Sequence, residues 1–328
     1  MKWRPPEGAD KTRKEEEKDA RDDPASLSTA PYSEKIRLAL GLKGLSWRSV
    51  EIPVWTPRPK LTPMTGGYRR TPILQIGAEF YCDTLLILRV IEQLGSSRSL
   101  YPAGQEGTVK ALCWWIEKSS FMNAVCLTIG NMAGKLPQEL LDERLPLFGV
   151  NLDPGVLLPK RGTYLQRVNA HIHWLGEMLS DGRQFIFGQQ PSAADLAAYH
   201  PIWFARQNGG PEIEALLPIA MIGPWYDRVT AIGHGNVTDM TPDEAIEIAK
   251  KAQPSEPKDW SPEGENVGLK PGDWVSVTPD DYGNPVHGIL LAWKADEVVI
   301  RHEDPSVGRV NLHFPRAGFD VQAERKAA

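Results

Sequence analysis

Residues 71–94 read TPILQIGAEFYCDTLLILRVIEQL, and this stretch decides the fold. Ile73 to Ile76, a turn at Gly77-Ala78, and Phe80-Tyr81 form two short β-prone runs around a turn signal, which predicts a β-hairpin. Asp83 then occupies an N-cap position ahead of Leu85, Leu86, Ile87, Leu88, Val90, Ile91 and Leu94. A helix therefore follows at once and stops at Gly95. Upstream, Pro31 and Glu34 in a first turn, followed by Ile36, Leu38, Ala39 and Leu40, predict a helix that closes near Gly41 or Gly44. Trp47 to Ile52 reads as a short strand ended by Pro53. Prolines at 53, 57, 59 and 63 with Gly66 and Gly67 make 53–70 a loop with room for at most one short helix. The order is helix, strand, loop, hairpin, helix.

From Thr108 to Ala252 the alternation disappears and spacings of three and four take over. Leu165, Val168, Ile172, Leu175 and Leu179 mark the clearest amphipathic helix, and Val109, Leu112 and Ile116 mark another that carries Trp114 and Trp115. A third opens at Pro191-Ser192-Ala193-Ala194-Asp195, where Ser192 and Asp195 have capping-box spacing. Short helices follow at 224–232 and 241–252. This block, 108–252, is an all-α helical bundle domain. Prolines at 254, 257 and 262 among charges make 253–267 a linker. Beyond it, 274–277, 287–293, 298–302 and 310–314 are β-rich runs, with 319–321 a fifth. The region 268–328 is thus expected to be a small β-barrel, similar to SH3-like folds.

Composition narrows the function classes. With 37 Lys plus Arg against 42 Asp plus Glu the net charge is −5, so no global basic field recruits nucleic acid or an anionic membrane. The first 25 residues hold 15 charged side chains and only Met1 and Trp3 as large apolar ones, too few to offset chain entropy; 1–25 is expected to be a disordered charged tail. No apolar run nears the roughly 18 residues that span a bilayer. Three cysteines without C-x-x-C spacing argue against a disulfide framework and a zinc site, and a cytoplasmic location is expected. Nucleotide-binding glycine motifs and the G-x-S-x-G elbow are absent from the sequence.

Four local matches, in order, make 26–252 resemble a glutathione S-transferase. Ala30-Pro31-Tyr32-Ser33-Glu34-Lys35-Ile36-Arg37 resembles the family's active-site loop and first helix, and Thr71-Pro72 falls where the family has a cis-proline. Asp83-Thr84 falls at its acid-serine pair, and Pro191 to Leu196 resembles the capping box of a long helix in its second domain. The resemblance implies an α/β thioredoxin-like domain over 26–100 that binds glutathione, followed by the helical domain. It implies glutathione as co-substrate without a metal or organic cofactor, a small electrophile as partner, and a homodimer. Thr84 and the helix start would hold the γ-glutamyl carboxylate, Asp83 would face the α-ammonium, and the Thr71 backbone beside Pro72 would meet the peptide. Arg69 and Arg70 either meet the glycyl carboxylate or solvate the loop. The electrophile would lie near Trp114, Trp115 and Phe121 if their helix lines the cleft.

Two departures bear on activity. The thiol-activating position directly before Pro31 is Ala30, which has no hydroxyl. A free thiol, with a pKa of about 8.5, is only a few per cent ionised at pH 7. Ser28, Thr29 and Tyr32 are the candidate substitutes, so transfer to an electrophile stands beside a second reading, a non-catalytic binding or scaffold protein whose C-terminal β domain recognises a partner. The family's first strand should fall at about 18–27, where Lys18-Asp19-Ala20-Arg21-Asp22-Asp23-Pro24 cannot form a buried strand. Either the sheet lacks that strand, or those residues are not the authentic start of the protein.

Overall fold

The computed structural model describes residues 30–94, 98–132, 135–144, 151–257 and 268–324. The expected tail and most of the expected linker lie outside them. The first region consists of α1 (Pro31–Leu42), β1 (Ser46–Val50), the hairpin β2 (Ile73–Ile76) and β3 (Glu79–Cys82), and α2 (Thr84–Leu94). The helical region holds α3 (Glu106–Ser119), α4 (Phe121–Asn131), α5 (Gln138–Arg144), α6 (Arg161–Met178), α7 (Ala193–Asn208) and α8 (Gly223–Thr230). Then come β4 (Asn236–Met240), α9 (Pro242–Lys251) and the strands β5 (Trp274–Pro279), β6 (Val286–Trp293), β7 (Glu297–Asp304), β8 (Gly308–Pro315) and β9 (Phe319–Ala323). This is a thioredoxin-like region, a helical middle and a C-terminal β region. No helix among the described residues is long and apolar enough to cross a membrane.

Local chemistry accounts for the elements. Pro31 opens α1, where its fixed φ suits the first turn and its missing N–H costs nothing. Gly77, at φ 63°, supplies the left-handed first position of the two-residue β2–β3 turn, which Ala78 completes. The Asp195 carboxylate accepts from the Ser192 N–H and hydroxyl at 2.8 Å, and from the Ile186 N–H and the Trp225 indole at 2.9 Å. One fully buried acid therefore starts α7 and ties it to α8. The turn after α8 comes so close to α1 that a Cβ on Gly41 would lie 2.0 Å from the Gly233 carbonyl oxygen, so α1 needs glycine there.

The sheets depart from the expected layout. Strand β1 pairs in parallel with β4, Ser46 opposite Asn236 through Val50 opposite Met240. Sequence reading missed β4 because NVTDM shows no apolar alternation and is mostly exposed. Among the described residues no strand joins β1 to β2, and positions 18–27, where the family's first strand was expected, lie outside them. The other seven strands form one sheet, ordered β2-β3-β8-β7-β6-β5-β9, in which Phe80 lies opposite Leu312 in a parallel β3–β8 pair. The C-terminal strands thus extend the hairpin's own sheet.

Period-two geometry gives β3 two different cores. Ala78, Phe80 and Cys82 are buried with Val298, Ile300, Leu312 and Phe314 of the C-terminal strands and with Ala245, Ile246 and Ala249 of α9. Tyr81, on the opposite face, packs on the core shared by α1, α2 and the helical region. Full burial of side chains such as Phe80 and Phe314 contributes roughly 1.5–3 kcal/mol each. A polar cluster closes the same seam: the His313 ring meets Glu297 at 2.7 Å and Glu79 at 2.6 Å, and Arg89 of α2 meets Glu297 at 2.7 Å and Asp296 at 2.5 Å.

Candidate glutathione site

A cavity of about 410 Å³ lies where the three regions meet, within the range of small-molecule sites. The N-terminus of α1 supplies Ala30, Pro31, Tyr32 and Lys35. The loop before β2 supplies Arg69, Arg70, Thr71 and Pro72, and the start of α2 supplies Asp83 and Thr84. The structure therefore brings Tyr32, Arg70, Thr71, Pro72, Asp83 and Thr84 together on one cavity. Ser28 and Thr29 lie outside the described residues. The Thr71–Pro72 bond is cis, as the resemblance implied. Two helix N-termini, each with unpaired N–H groups and a positive dipole end, border the cavity.

Asp83 has φ 70°, the one non-glycine residue of positive φ among those described, and its Oδ1 accepts from the Leu85 N–H at 2.9 Å. It caps its own helix while lining the cavity. Burial pushes its carboxyl upward, opposed by that hydrogen bond. The Thr84 hydroxyl accepts from the Lys35 ammonium at 2.6 Å, and Lys35 also pairs with Glu117 of α3. Burial opposes ionisation of Glu117, yet Lys35 and His200 together outweigh it and hold the carboxyl at about 2. His200 of α7 sits behind this pair, its Nε2 3.8 Å from Glu117, beyond hydrogen-bond reach. Burial pushes its imidazole downward, toward the neutral form.

Sequence reading missed Lys35 and Glu117. A lysine among the apolar positions of α1 reads as a solvated charge, and only the fold aims it at α3. Tyr32 packs against Phe121, ring centroids 4.5 Å apart, and His200, 4.9 Å apart; burial pushes its phenol well above the usual range. Ala30 precedes α1 in extended conformation with no side-chain cap, so the departure seen in the sequence stands in the site. Of the aromatic residues expected near an electrophile, Trp114 and Phe121 line the cavity. Trp115 does not: it lies one helix position round, 41 % exposed, against Trp174 and His171.

Arg70 turns toward the C-terminal region. Its guanidinium pairs with Asp281, donates from Nε to the Tyr282 carbonyl at 3.1 Å, and lies 4.1 Å from the Tyr282 ring centroid. Arg69 pairs with Glu143 of α5 at 2.7 Å, fixing that helix over the apolar end of the cavity. There Met122, Val125, Leu140, Leu152 and Phe204 form the lining.

This chain is similar to known proteins. Residues 26–99 match the model of the glutathione S-transferase N-terminal domain. A GST-like protein from Pseudomonas syringae is 37% identical, with a TM-score of 0.70 over 90% of this chain and 96% of that one. A glutathione transferase from Phanerochaete chrysosporium is 15% identical, with a TM-score of 0.48 over 64% of this chain and 93% of that one. A beta-etherase from Sphingobium is 16% identical, with a TM-score of 0.48 over 61% of this chain and 90% of its own. No curated protein matches the sequence. On the matched N-terminal domain and the full-length likeness to the Pseudomonas syringae protein, the chain belongs to the glutathione S-transferase family.

Proposed function

We propose that this protein binds glutathione in the cavity and transfers its thiol to an electrophilic small molecule. The observation that carries this reading is the convergence of the α1 and α2 N-termini and the cis-Pro72 loop on one cavity that is apolar at its far end. In this reading the γ-glutamyl carboxylate takes the Thr84 hydroxyl and the α2 N–H groups, and Asp83 takes the α-ammonium. The main chain of Thr71, beside Pro72, pairs with the peptide in the manner of an added strand. The sulfur lies at Ala30 to Tyr32. Its proton leaves to solvent, the sulfur bonds to the electrophilic carbon, and the leaving group departs with the electron pair it shared with that carbon. Ser28, Thr29 and Tyr32 remain the candidates for thiolate donor, and the finer expectations of a homodimer, a cytoplasmic location and an SH3-like C-terminal domain belong to this proposal.

A second reading keeps binding without turnover, and Ala30 favours it, because no hydroxyl stands at the usual activating position. Calorimetric titration with glutathione, beside a turnover assay on the same sample, separates the two. Binding with turnover supports the transferase, binding alone supports the scaffold, and no binding overturns both.

A further inference from the structure

The C-terminal β region forms part of the cavity wall. Asp281 and Tyr282, from the loop after β5, Ala317 and Gly318, from the turn before β9, and Phe319, the first residue of β9, line the same cavity as Ala30, Pro31 and Tyr32. The two loops are joined by the Asp280 N–H donating to the Gly318 carbonyl at 3.0 Å. They are anchored from the other side by Arg70, and by Lys118 of α3, which reaches Asp280 at 3.0 Å and Asp281 at 3.1 Å. Gly318, at φ 83°, lies so close to Trp114 that an added Cβ would come within 2.7 Å of the ring, so turn and indole form one continuous surface.

We propose that this wall is the specificity element of the site, with Tyr282 and Phe319 contacting the group bonded to the glutathione sulfur. The inference rests on the glutathione reading and adds to it which residues judge the second substrate. The charges of the wall also restrict that substrate. Arg70 is matched by Asp281, and Lys118 by Asp280 and Asp281, so a charged electrophile loses hydration there without an unmatched charge among these to compensate it. An uncharged, flat apolar group meets Trp114, Tyr282 and Phe319 without that cost. The C-terminal region then acts on substrate directly.

The test uses the full chain and calorimetry with four probes: glutathione, S-methylglutathione, S-(2,4-dinitrophenyl)glutathione and S-(4-carboxy-2,6-dinitrophenyl)glutathione. These bound adducts report the wall independently of turnover. The neutral dinitrophenyl adduct is expected to bind at least tenfold more tightly than S-methylglutathione, and the carboxylated adduct to lose most of that gain. In Tyr282→Ala the gap between the neutral adduct and S-methylglutathione should shrink at least fivefold while glutathione affinity changes less than twofold. Phe319→Leu, which keeps most of the buried volume, provides a second variant, and circular dichroism confirms both folds. Glutathione binding with an unchanged gap in both variants overturns the proposal. Absence of glutathione binding to the wild type overturns the underlying reading, and the proposal with it.

Discussion

The Lys35 ammonium and the Glu117 carboxylate form an ion pair at the floor of the cavity, with side-chain exposures of 1% and 16%. Lys35 comes from the thioredoxin-like region and Glu117 from the helical one, so the pair joins two regions as well as positioning Thr84. Removing one partner leaves an uncompensated buried charge. Lys35→Met is expected to destabilise the protein by about 3–5 kcal/mol, and Lys35→Met combined with Glu117→Leu to recover much of that loss. Urea unfolding of the two single variants and the double variant measures this. Additive losses would show that the charges act independently.

Replacing Thr84 by Ala removes the hydroxyl assigned to the γ-glutamyl carboxylate. Glutathione affinity should fall by roughly 1–3 kcal/mol, the range for a hydrogen bond to a charged group. Lys35 loses an acceptor in the same change, so thermal unfolding must accompany the titration to separate binding from stability. An intact fold with unchanged affinity would remove Thr84 from the site.

Ala30→Ser restores a hydroxyl before Pro31. The thiol of bound glutathione should then ionise about one to two pH units lower, and turnover at neutral pH should rise about tenfold. Ultraviolet thiolate absorbance against pH gives the shift directly. If Thr29, Ser28 or Tyr32 already donates, the added serine changes little, and Thr29→Ala, Ser28→Ala or Tyr32→Phe raises the thiol pKa instead.

His313 gives stability a defined pH window. Burial works against its protonation, but hydrogen bonds and charge from Glu297 and Glu79 outweigh it and raise its pKa above 6.5. A raised folded pKa means that this contribution is complete below about 6.5 and is lost as pH climbs through the folded value. The partners run the other way. Burial is outweighed at Glu297, which is held at about 2, and Glu79 is also lowered, so their contribution is complete above about 4.5 and fades toward acid. Arg89 and Lys294 face the same cluster. The cluster should favour the folded state most between about pH 5 and 6.5. His313→Gln should flatten the alkaline limb of thermal stability between pH 6 and 9; an unchanged limb would assign it elsewhere.

Local chemistry was legible in the sequence and long-range pairing was not. The hairpin at 73–82, the helix after Asp83 and the capping box at Ser192 each have a nearby chemical cause, whereas the cis bond at Pro72 was expected from the family resemblance alone. The parallel pairs of β1 with β4 and of β3 with β8 carry no local signature, since partners of suitable β propensity exist throughout the chain. The proline-bearing linker marked 268–328 as a domain of its own, and the core that its strands share with Phe80 and Cys82 is a contact that no linker composition reveals. In the site, Tyr32, Arg70, Thr71, Pro72, Asp83 and Thr84 line one cavity, while Trp115 does not and Ser28 and Thr29 lie outside the described residues. Lys35, Glu117 and Tyr282 were missed because each acts across regions, and no spacing within one segment reveals them.

The β3–β8 pairing also imposes a timetable on biosynthesis. Phe80 and Cys82 leave the ribosome early, yet the strand opposite them, Gly308–Pro315, follows more than two hundred residues later. At roughly 5–20 residues per second, that interval is on the order of 10 to 50 s. Throughout it, the nascent hairpin presents an unpaired strand edge and an apolar face to its surroundings, a condition that invites aggregation. Chaperone engagement during synthesis should therefore concentrate on this interval, and end when the late strand docks.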